Sequence, residues 1–175
     1  MTDDKHIILV GFPGSGKTSL GKALAERLNL PFVDTDEYIS AKTGKTISDI
    51  FAEAGEQEFR NIEHFYLKEI LTGNRSIIAT GGGMPCFDNN MDLMNDYGVT
   101  VYLISAPETL CGRLANNAKR PLVAGKTGKE LEEFIENTLS ERKVYYEKSQ
   151  ICITSEDSLQ SSADELIKRL ARRKD

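Results

Sequence analysis

The stretch that most constrains this chain is a glycine-rich loop between an apolar run and an amphipathic segment. Residues 11–18 read Gly-Phe-Pro-Gly-Ser-Gly-Lys-Thr and match the pattern G-x-x-x-x-G-K-[ST]. The apolar residues 7–10 predict a buried strand before the loop, and the spacing of leucines after it predicts a helix. Glycines let such a loop turn its N–H groups inward, where they and the helix dipole attract phosphate oxygens. This context favours a nucleotide-binding site over a chance glycine-rich turn.

Two side chains at the end of this loop have defined chemical roles in such sites. Lys17 places a positive charge on the β- and γ-phosphates, and the hydroxyl of Thr18 binds Mg²⁺. We therefore expect one Mg²⁺ ion to accompany the nucleotide. The residues expected to bind the nucleotide here are Gly14, Ser15, Gly16, Lys17, Thr18 and Ser19.

Length and charge exclude several classes of protein. A chain of 175 residues predicts one domain, 1–175, around one central sheet. The net charge of −5 argues against a nucleic-acid surface, and we expect neither a secretion signal nor a membrane span. Three widely spaced cysteines fit neither a disulfide framework nor a zinc site. These features predict a cytoplasmic protein with reduced thiols.

Strand and helix patterns alternate along the whole chain. This alternation predicts an α/β fold with a five-stranded parallel sheet and helices on both faces. The strands are expected at about 7–10, 31–33, 76–80, 99–104 and 151–153. Serine N-caps are expected for three helices, at Ser48, Ser105 and Ser162.

A basic segment without periodicity lies at about 116–129. Because a phosphate-binding loop lies upstream, this segment favours a mobile lid over the phosphates, with a plain surface loop as the alternative. Arg120 precedes a proline in this segment and is placed to act on the charge of a transferring phosphoryl group.

The second predicted strand is the one that ends in acidic residues, Asp34 and Asp36. Carboxyl ends of parallel strands line the ligand crevice, so both carboxylates are expected to face the terminal phosphate. Asp34 suits binding of Mg²⁺ through water, and Asp36 lies one alternation further out, toward a phosphoryl acceptor. The alternative is that Asp-Thr-Asp simply caps the next helix.

Three consecutive glycines, Gly81, Gly82 and Gly83, follow the third predicted strand at the same crevice. They leave backbone N–H groups accessible to an anionic or hydroxylated ligand. A simple tight turn would need one glycine, so the run favours a binding role.

Two arginines occupy positions that are unfavourable for a cation. Arg60 lies in the first turn of a predicted helix, where it opposes the helix dipole. Arg142 lies on the apolar stripe of another helix, and a buried guanidinium needs a partner anion. The partner is either a protein carboxylate or a substrate carboxylate.

Taken together, these motifs resemble the shikimate kinase family over essentially the whole chain. The motifs that carry the resemblance are the phosphate loop, Asp34-Thr-Asp36, Gly55-Glu-Gln-Glu-Phe-Arg60, Gly81-Gly-Gly83, Arg120-Pro-Leu and Glu141-Arg142. The resemblance implies a nucleoside-monophosphate-kinase-like P-loop fold with substrate-binding helices at about 37–71. It also implies Mg²⁺- and ATP-dependent phosphorylation of the 3-hydroxyl of shikimate, a step of chorismate and aromatic amino acid biosynthesis.

The resemblance also implies roles for individual residues. Asp36, Arg60, Gly82 and Arg142 would hold shikimate, with the two arginines on its carboxylate. Lys17 and Arg120 would stabilise the transferring phosphoryl group, Asp36 would act at the reacting hydroxyl, and Arg113 would lie against adenine.

Two other functions compete with this interpretation. Another small-molecule kinase of the same fold, such as a gluconate kinase, is the nearer alternative. A GTP-binding switch would need Asn-Lys-x-Asp and Asp-x-x-Gly, and neither string occurs in the sequence. The expected partners are ATP, ADP and shikimate, without nucleic acid or membrane, and the expected state is a monomer.

Overall fold

Five apolar runs of the sequence form one parallel sheet. A computed structural model of the chain describes residues 5–115, 125–155 and 158–173. The strands, β1 to β5 in chain order, are His6–Val10, Phe32–Asp34, Ile77–Ala79, Gly98–Ile104 and Ile151–Thr154. Their order in the sheet is β2-β3-β1-β4-β5, and all four neighbouring pairs are parallel. The predicted five-stranded parallel sheet is confirmed.

Seven helices pack on this sheet within the described ranges. In chain order, α1 to α7 are Lys17–Leu28, Thr35–Thr43, Ile47–Leu71, Asn90–Tyr97, Pro107–Leu114, Gly128–Tyr146 and Leu159–Ala171. A single turn of 3-10 helix, Met84–Cys86, follows the three glycines. In the part of the chain that the structure describes, no helix is long and apolar enough to cross a membrane.

The central strand β1 explains why the sheet is covered on both faces. All five of its residues are buried, and alternate side chains enter two separate clusters. Ile8 and Val10 pack with residues of α3 and α4 and with Tyr146 of α6, whereas Ile7 and Leu9 pack with residues of α1 and α7. A strand that is buried on both sides is a nearly continuous apolar run, as this one is from Ile7 to Val10.

The observed N-cap residues of three helices differ from the serines that the sequence predicts. Thr46, rather than Ser48, caps α3 and forms a reciprocal capping box with Asp49. A non-helical residue, Gly55 with φ 80°, then interrupts α3. A left-handed residue is incompatible with continuous helix, so the segment that carries Arg60 begins just after Gly55.

The two other predicted caps are also wrong. The N-cap of α5 is Ala106, whose methyl side chain cannot accept a hydrogen bond, and the hydroxyl of Ser105 instead forms a hydrogen bond with that of Ser155. Ser158 caps α7, and Ser162 is a buried residue inside that helix. The burial of Ser162 places it on the packed face of α7, away from the helix start.

Candidate active site

The glycine-rich loop leads directly into the amino terminus of α1. Gly14 and Gly16 have φ angles of 85° and 95°, a conformation that side chains disfavour. Gly16 is the N-cap of α1 and makes no side-chain cap, and the first helical turn contains no acidic residue. The first N–H groups of α1 therefore have no capping side chain and lie at the positive end of the helix dipole, which is suited to phosphate.

Lys17 places its charge inside this loop. Its side chain is buried, and Nζ donates hydrogen bonds to the carbonyl oxygens of Gly11 (2.8 Å) and Phe12 (2.9 Å). The hydroxyl of Ser15 is buried without a hydrogen-bond partner among the described residues. A buried polar atom without a partner is costly, and a phosphate oxygen at the loop would satisfy it.

The loop forms one wall of a cleft of about 390 Å³. The predicted nucleotide-binding residues from Gly14 to Ser19 line this cleft together with Arg113. The Arg113 guanidinium donates to the carbonyls of Gly14 (3.0 Å) and Ser155 (3.5 Å), so it spans the cleft between the loop and the end of β5. Arg120 lies outside the described residues, as does most of the predicted lid.

Asp34 connects the cleft to the helix that follows β2. The Thr18 hydroxyl donates to Asp34 Oδ2 (2.8 Å), and Asp34 Oδ1 accepts from the N–H groups of Asp36 (3.0 Å) and Glu37 (3.4 Å). The helix-cap interpretation of Asp34 is therefore confirmed. The same carboxylate also contacts the phosphate loop, and its binding of Mg²⁺ stays a prediction.

The donor set fits Mg²⁺. This ion keeps several waters and takes one or two protein oxygens beside the nucleotide phosphates. Thr18 and Asp34 supply such oxygens in contact with one another. Among the described residues there is no group of three or more His, Cys, Asp and Glu side chains that could hold a metal by itself.

The three glycines bring the charged residues of the acceptor side together. A methyl group added to Gly81 would lie 2.9 Å from both Asp36 Oδ1 and Glu63 Oε1, and one added to Gly83 would lie 2.3 Å from Arg60 Nη2. Glycine is needed at these positions because Asp36, Glu63 and Arg60 pack directly on the chain.

The backbone of this turn is partly engaged by protein groups. The N–H of Gly81 donates to the Thr35 hydroxyl (2.9 Å). Contrary to the expectation from the sequence, this N–H group is therefore not free to bind a ligand. The carbonyl of Gly82 accepts a hydrogen bond from the buried Tyr146 hydroxyl (2.6 Å). Tyr146 therefore fixes the turn against α6.

Arg60 is a buried cation with two carboxylate partners. It is 9% exposed and donates hydrogen bonds to Glu63, which is 1% exposed, and to Glu56 (3.2 Å). Burial raises the pKa of Glu63 to about 7, and the positive charges of Arg60 and Arg142 oppose that rise. The negative charge of Asp36 adds to it.

Arg142 approaches the same site from α6. Its guanidinium lies 5.7 Å from the centroid of the Phe12 ring, in the phosphate loop. Nη1 is buried and has no hydrogen-bond partner among the described residues. The structure thus brings Arg60 into contact with Glu63 and Arg142 close enough to act on its charge. Within the described part of the chain, Nη1 of Arg142 still has no hydrogen-bond partner.

Glu63 is a site residue that the sequence pattern does not indicate. A glutamate on a charged helix is usually solvated, and its pattern alone gives no reason to bury it. The available signal is its i,i+3 spacing from Arg60, which places both side chains on one helix face.

The parallel sheet and the phosphate loop at the start of α1 define a P-loop phosphotransferase. The arginines beside the loop are suited to a small anionic acceptor. The shikimate kinase family model matches residues 13–171. The chain therefore belongs to the shikimate kinase family, a family of ATP-dependent kinases.

Individual relatives agree with this membership. The chain is 47% identical to a shikimate kinase of Azobacteroides pseudotrichonymphae over 84% of this chain and 88% of that protein. It resembles the crystal structure of a Bacteroides thetaiotaomicron shikimate kinase at 40% identity, with a TM-score of 0.90 over 95% and 98% of the two chains. The chain also resembles a shikimate kinase of Acinetobacter baumannii that was solved in complex with shikimate. The two are 31% identical, with a TM-score of 0.92 over 98% of this chain and 96% of that one.

Proposed function

We propose that this protein transfers the γ-phosphoryl group of ATP to the 3-hydroxyl of shikimate, giving ADP and shikimate 3-phosphate. The observation that carries the proposal is the pair of arginines beside Glu63, of which Arg142 has a buried nitrogen without a partner. A buried guanidinium in this state is suited to a substrate carboxylate. Family membership and the shikimate bound to the Acinetobacter baumannii relative support shikimate as the acid.

The donor and acceptor sides share residues of the phosphate loop. The guanidinium of Arg142 lies over the ring of Phe12, and a methyl group added to Gly82 would lie 2.5 Å from Pro13. The residues proposed to bind the acceptor therefore lie directly against the phosphate loop. Asp36 and Thr80 also line the nucleotide cleft. An acceptor held by the arginines would therefore lie next to the terminal phosphate, as in-line transfer requires.

The residues around the terminal phosphate have separate roles in the proposed reaction. Lys17 stabilises negative charge on the transferring group, and Asp36 orients the reacting hydroxyl and accepts its proton. Arg120 is proposed to add positive charge at the phosphoryl group. Thr18 and Asp34 would hold Mg²⁺, which neutralises charge on the β- and γ-phosphates when bound.

The test is a phosphoryl-transfer assay with ATP and three classes of acceptor, namely shikimate, gluconate and nucleoside monophosphates. We expect transfer to shikimate and little transfer to the others. Shikimate methyl ester serves as a matched control, because it keeps the hydroxyl groups and removes the negative charge. Preferred transfer to gluconate, or equal use of the ester, would refute the proposal. A gluconokinase of Sinorhizobium meliloti is 17% identical with a TM-score of 0.61, a likeness that shows the fold alone.

We also propose that the protein works as a cytoplasmic monomer of one domain, with the segment at about 116–129 acting as a lid. The single five-stranded sheet supports one domain, and a net charge of −5 favours a monomer through repulsion between copies. Light scattering of the purified protein tests the monomer, and a dimer that persists on dilution would contradict it.

A further inference from the structure

A fully buried asparagine links the acceptor helix to the three-glycine turn. Asn90 begins α4 and is 0% exposed. Its Nδ2 donates to the carbonyl oxygen of Met84 (2.8 Å), and its Oδ1 lies 2.5 Å from Nδ1 of His64 on α3. A single side chain thus joins α3, α4 and the turn.

Both ends of this link lead to Arg60. Met84 directly follows Gly83, whose Cα faces the Arg60 guanidinium so closely that an added methyl would lie 2.3 Å from it. His64 lies one helical turn after Arg60 on α3 and next to Glu63. The spacing between helix and turn, which decides where the guanidinium lies, is therefore set at His64 and Asn90.

The hydrogen bonds also fix the proton on His64. The amide nitrogen of Asn90 faces the Met84 carbonyl, so its oxygen must face His64. An amide oxygen can only accept a hydrogen bond, so Nδ1 of His64 must carry the hydrogen. Nε2 of His64 then faces the Asp88 carboxylate at 3.9 Å. Protonation at Nε2 leaves the Nδ1–H in place, so the link does not depend on the charge of the ring.

We propose that His64, acting through Asn90, is a positioning residue that holds the three-glycine turn against Arg60 and thereby sets the affinity for the anionic acceptor. The expected effect of His64 on the shikimate KM rests on the proposed function, whereas the hydrogen bonds of His64 and Asn90 do not depend on it. The link should affect acceptor binding and not nucleotide binding, because neither His64 nor Asn90 lines the nucleotide cleft.

The first experiment reads the tautomer of His64 by ¹⁵N NMR in the unmodified, tag-free protein at a pH where the ring is neutral. The chain contains a second histidine as an internal control. Nδ1 of His6 accepts from the N–H of Ser76 (3.2 Å) and its Nε2 lies 3.1 Å from the Leu71 carbonyl, so His6 must be the Nε2–H tautomer. We expect opposite tautomers for the two rings, and an Nε2–H tautomer at His64 would overturn the proposal.

The second experiment compares two substitutions of His64 by steady-state kinetics. His64→Leu removes the donor, whereas His64→Asn keeps an N–H at the position of Nδ1. We expect His64→Leu to raise the KM for shikimate by about fivefold or more, as for a lost buried hydrogen bond, with the KM for ATP unchanged. His64→Asn should return the shikimate KM to within about twofold of the parent. Phe65→Ala, at the adjacent residue that is 64% exposed, is the matched control and should leave both KM values unchanged.

The outcomes separate this proposal from the proposed function. Equal effects of Leu and Asn, or equal increases in both KM values, would show that His64 has only a general structural role. A parent protein that does not phosphorylate shikimate would refute the proposed function, whereas the tautomer measurement would still decide the link. The tautomer measurement also decides it if His64→Leu does not fold.

Discussion

Gly83→Ala tests whether the acceptor site depends on the exact position of Arg60. Gly83 has φ −88° and ψ −17°, an ordinary conformation that alanine adopts without strain. The added methyl would lie 2.3 Å from Nη2 and 2.5 Å from Cζ of Arg60. The substitution therefore acts on one guanidinium rather than on the backbone.

The size of the expected effect follows from these distances. Unbonded heavy atoms pack at about 3.5 Å, so the guanidinium must move by about 1 Å. Arg60 is hydrogen-bonded to Glu63 and Glu56, and both bonds must adjust with it. A misplacement of about 1 Å in a positioning group costs up to about 10²-fold, so the KM for shikimate should rise by about 10- to 100-fold. Overpacking should lower the free energy of unfolding by about 1–3 kcal/mol.

The assay measures both KM values and thermal unfolding for Gly83→Ala beside Gly112→Ala. Gly112 lies in α5, where an added methyl meets nothing within 4 Å, so this control should keep parental kinetics and gain about 0.5–1 kcal/mol of stability. A shikimate KM within about twofold of the parent in folded Gly83→Ala would refute the reasoning. An equal rise in the KM for ATP would refute it too.

Three further predictions concern charged groups. Lys17→Ala should abolish transfer with the fold intact, because Nζ neutralises charge that grows during transfer; activity within a few-fold of the parent would contradict this. Arg60→Lys and Arg142→Lys should each cost about 2–5 kcal/mol of shikimate binding, non-additively in a double-mutant cycle, because both hold one carboxylate. Additive losses, or equal losses with the methyl ester, would show that they do not. Because burial raises the pKa of Glu63 to about 7 and a bound carboxylate should raise it further, shikimate binding should take up protons and weaken as pH rises above about 7. Calorimetry in buffers of different ionisation enthalpy measures this proton uptake, and Glu63→Gln should remove it. If the parent protein takes up no protons on binding shikimate, Glu63 is not coupled to acceptor binding.

The parts of the site that are local in sequence are predictable from it. The phosphate loop is contiguous, so the roles proposed for Lys17 and Thr18 follow from spacing alone. The contact between Thr18 and Asp34 follows from one further rule, that parallel strands end at the same edge of a sheet. The strands are predictable to within one or two residues, because short apolar runs bounded by glycine or proline are typical of buried strands.

The features that escape prediction depend on tertiary packing. A choice between Thr46 and Ser48 as a cap cannot be made from residue type, since both are good caps. The helix α4 has only eight residues, fewer than are needed to judge a helical period from sequence, so no helix is predicted there. The buried state of Asn90 likewise follows only from the packing of the glycine turn against α3.

The balance of charges explains why the acceptor site contains a buried carboxylate. Arg60 and Arg142 bring two positive charges together, and a buried cation without an anion is strongly destabilising. Glu63 offsets that cost at Arg60 before the acceptor arrives. Because burial raises its pKa to about 7, Glu63 can take up a proton near neutral pH when a substrate carboxylate becomes the partner of Arg60. A neutral ligand would leave the Arg60–Glu63 pair unchanged, whereas an anionic acceptor would also gain Arg142, whose buried Nη1 has no hydrogen-bond partner among the described residues.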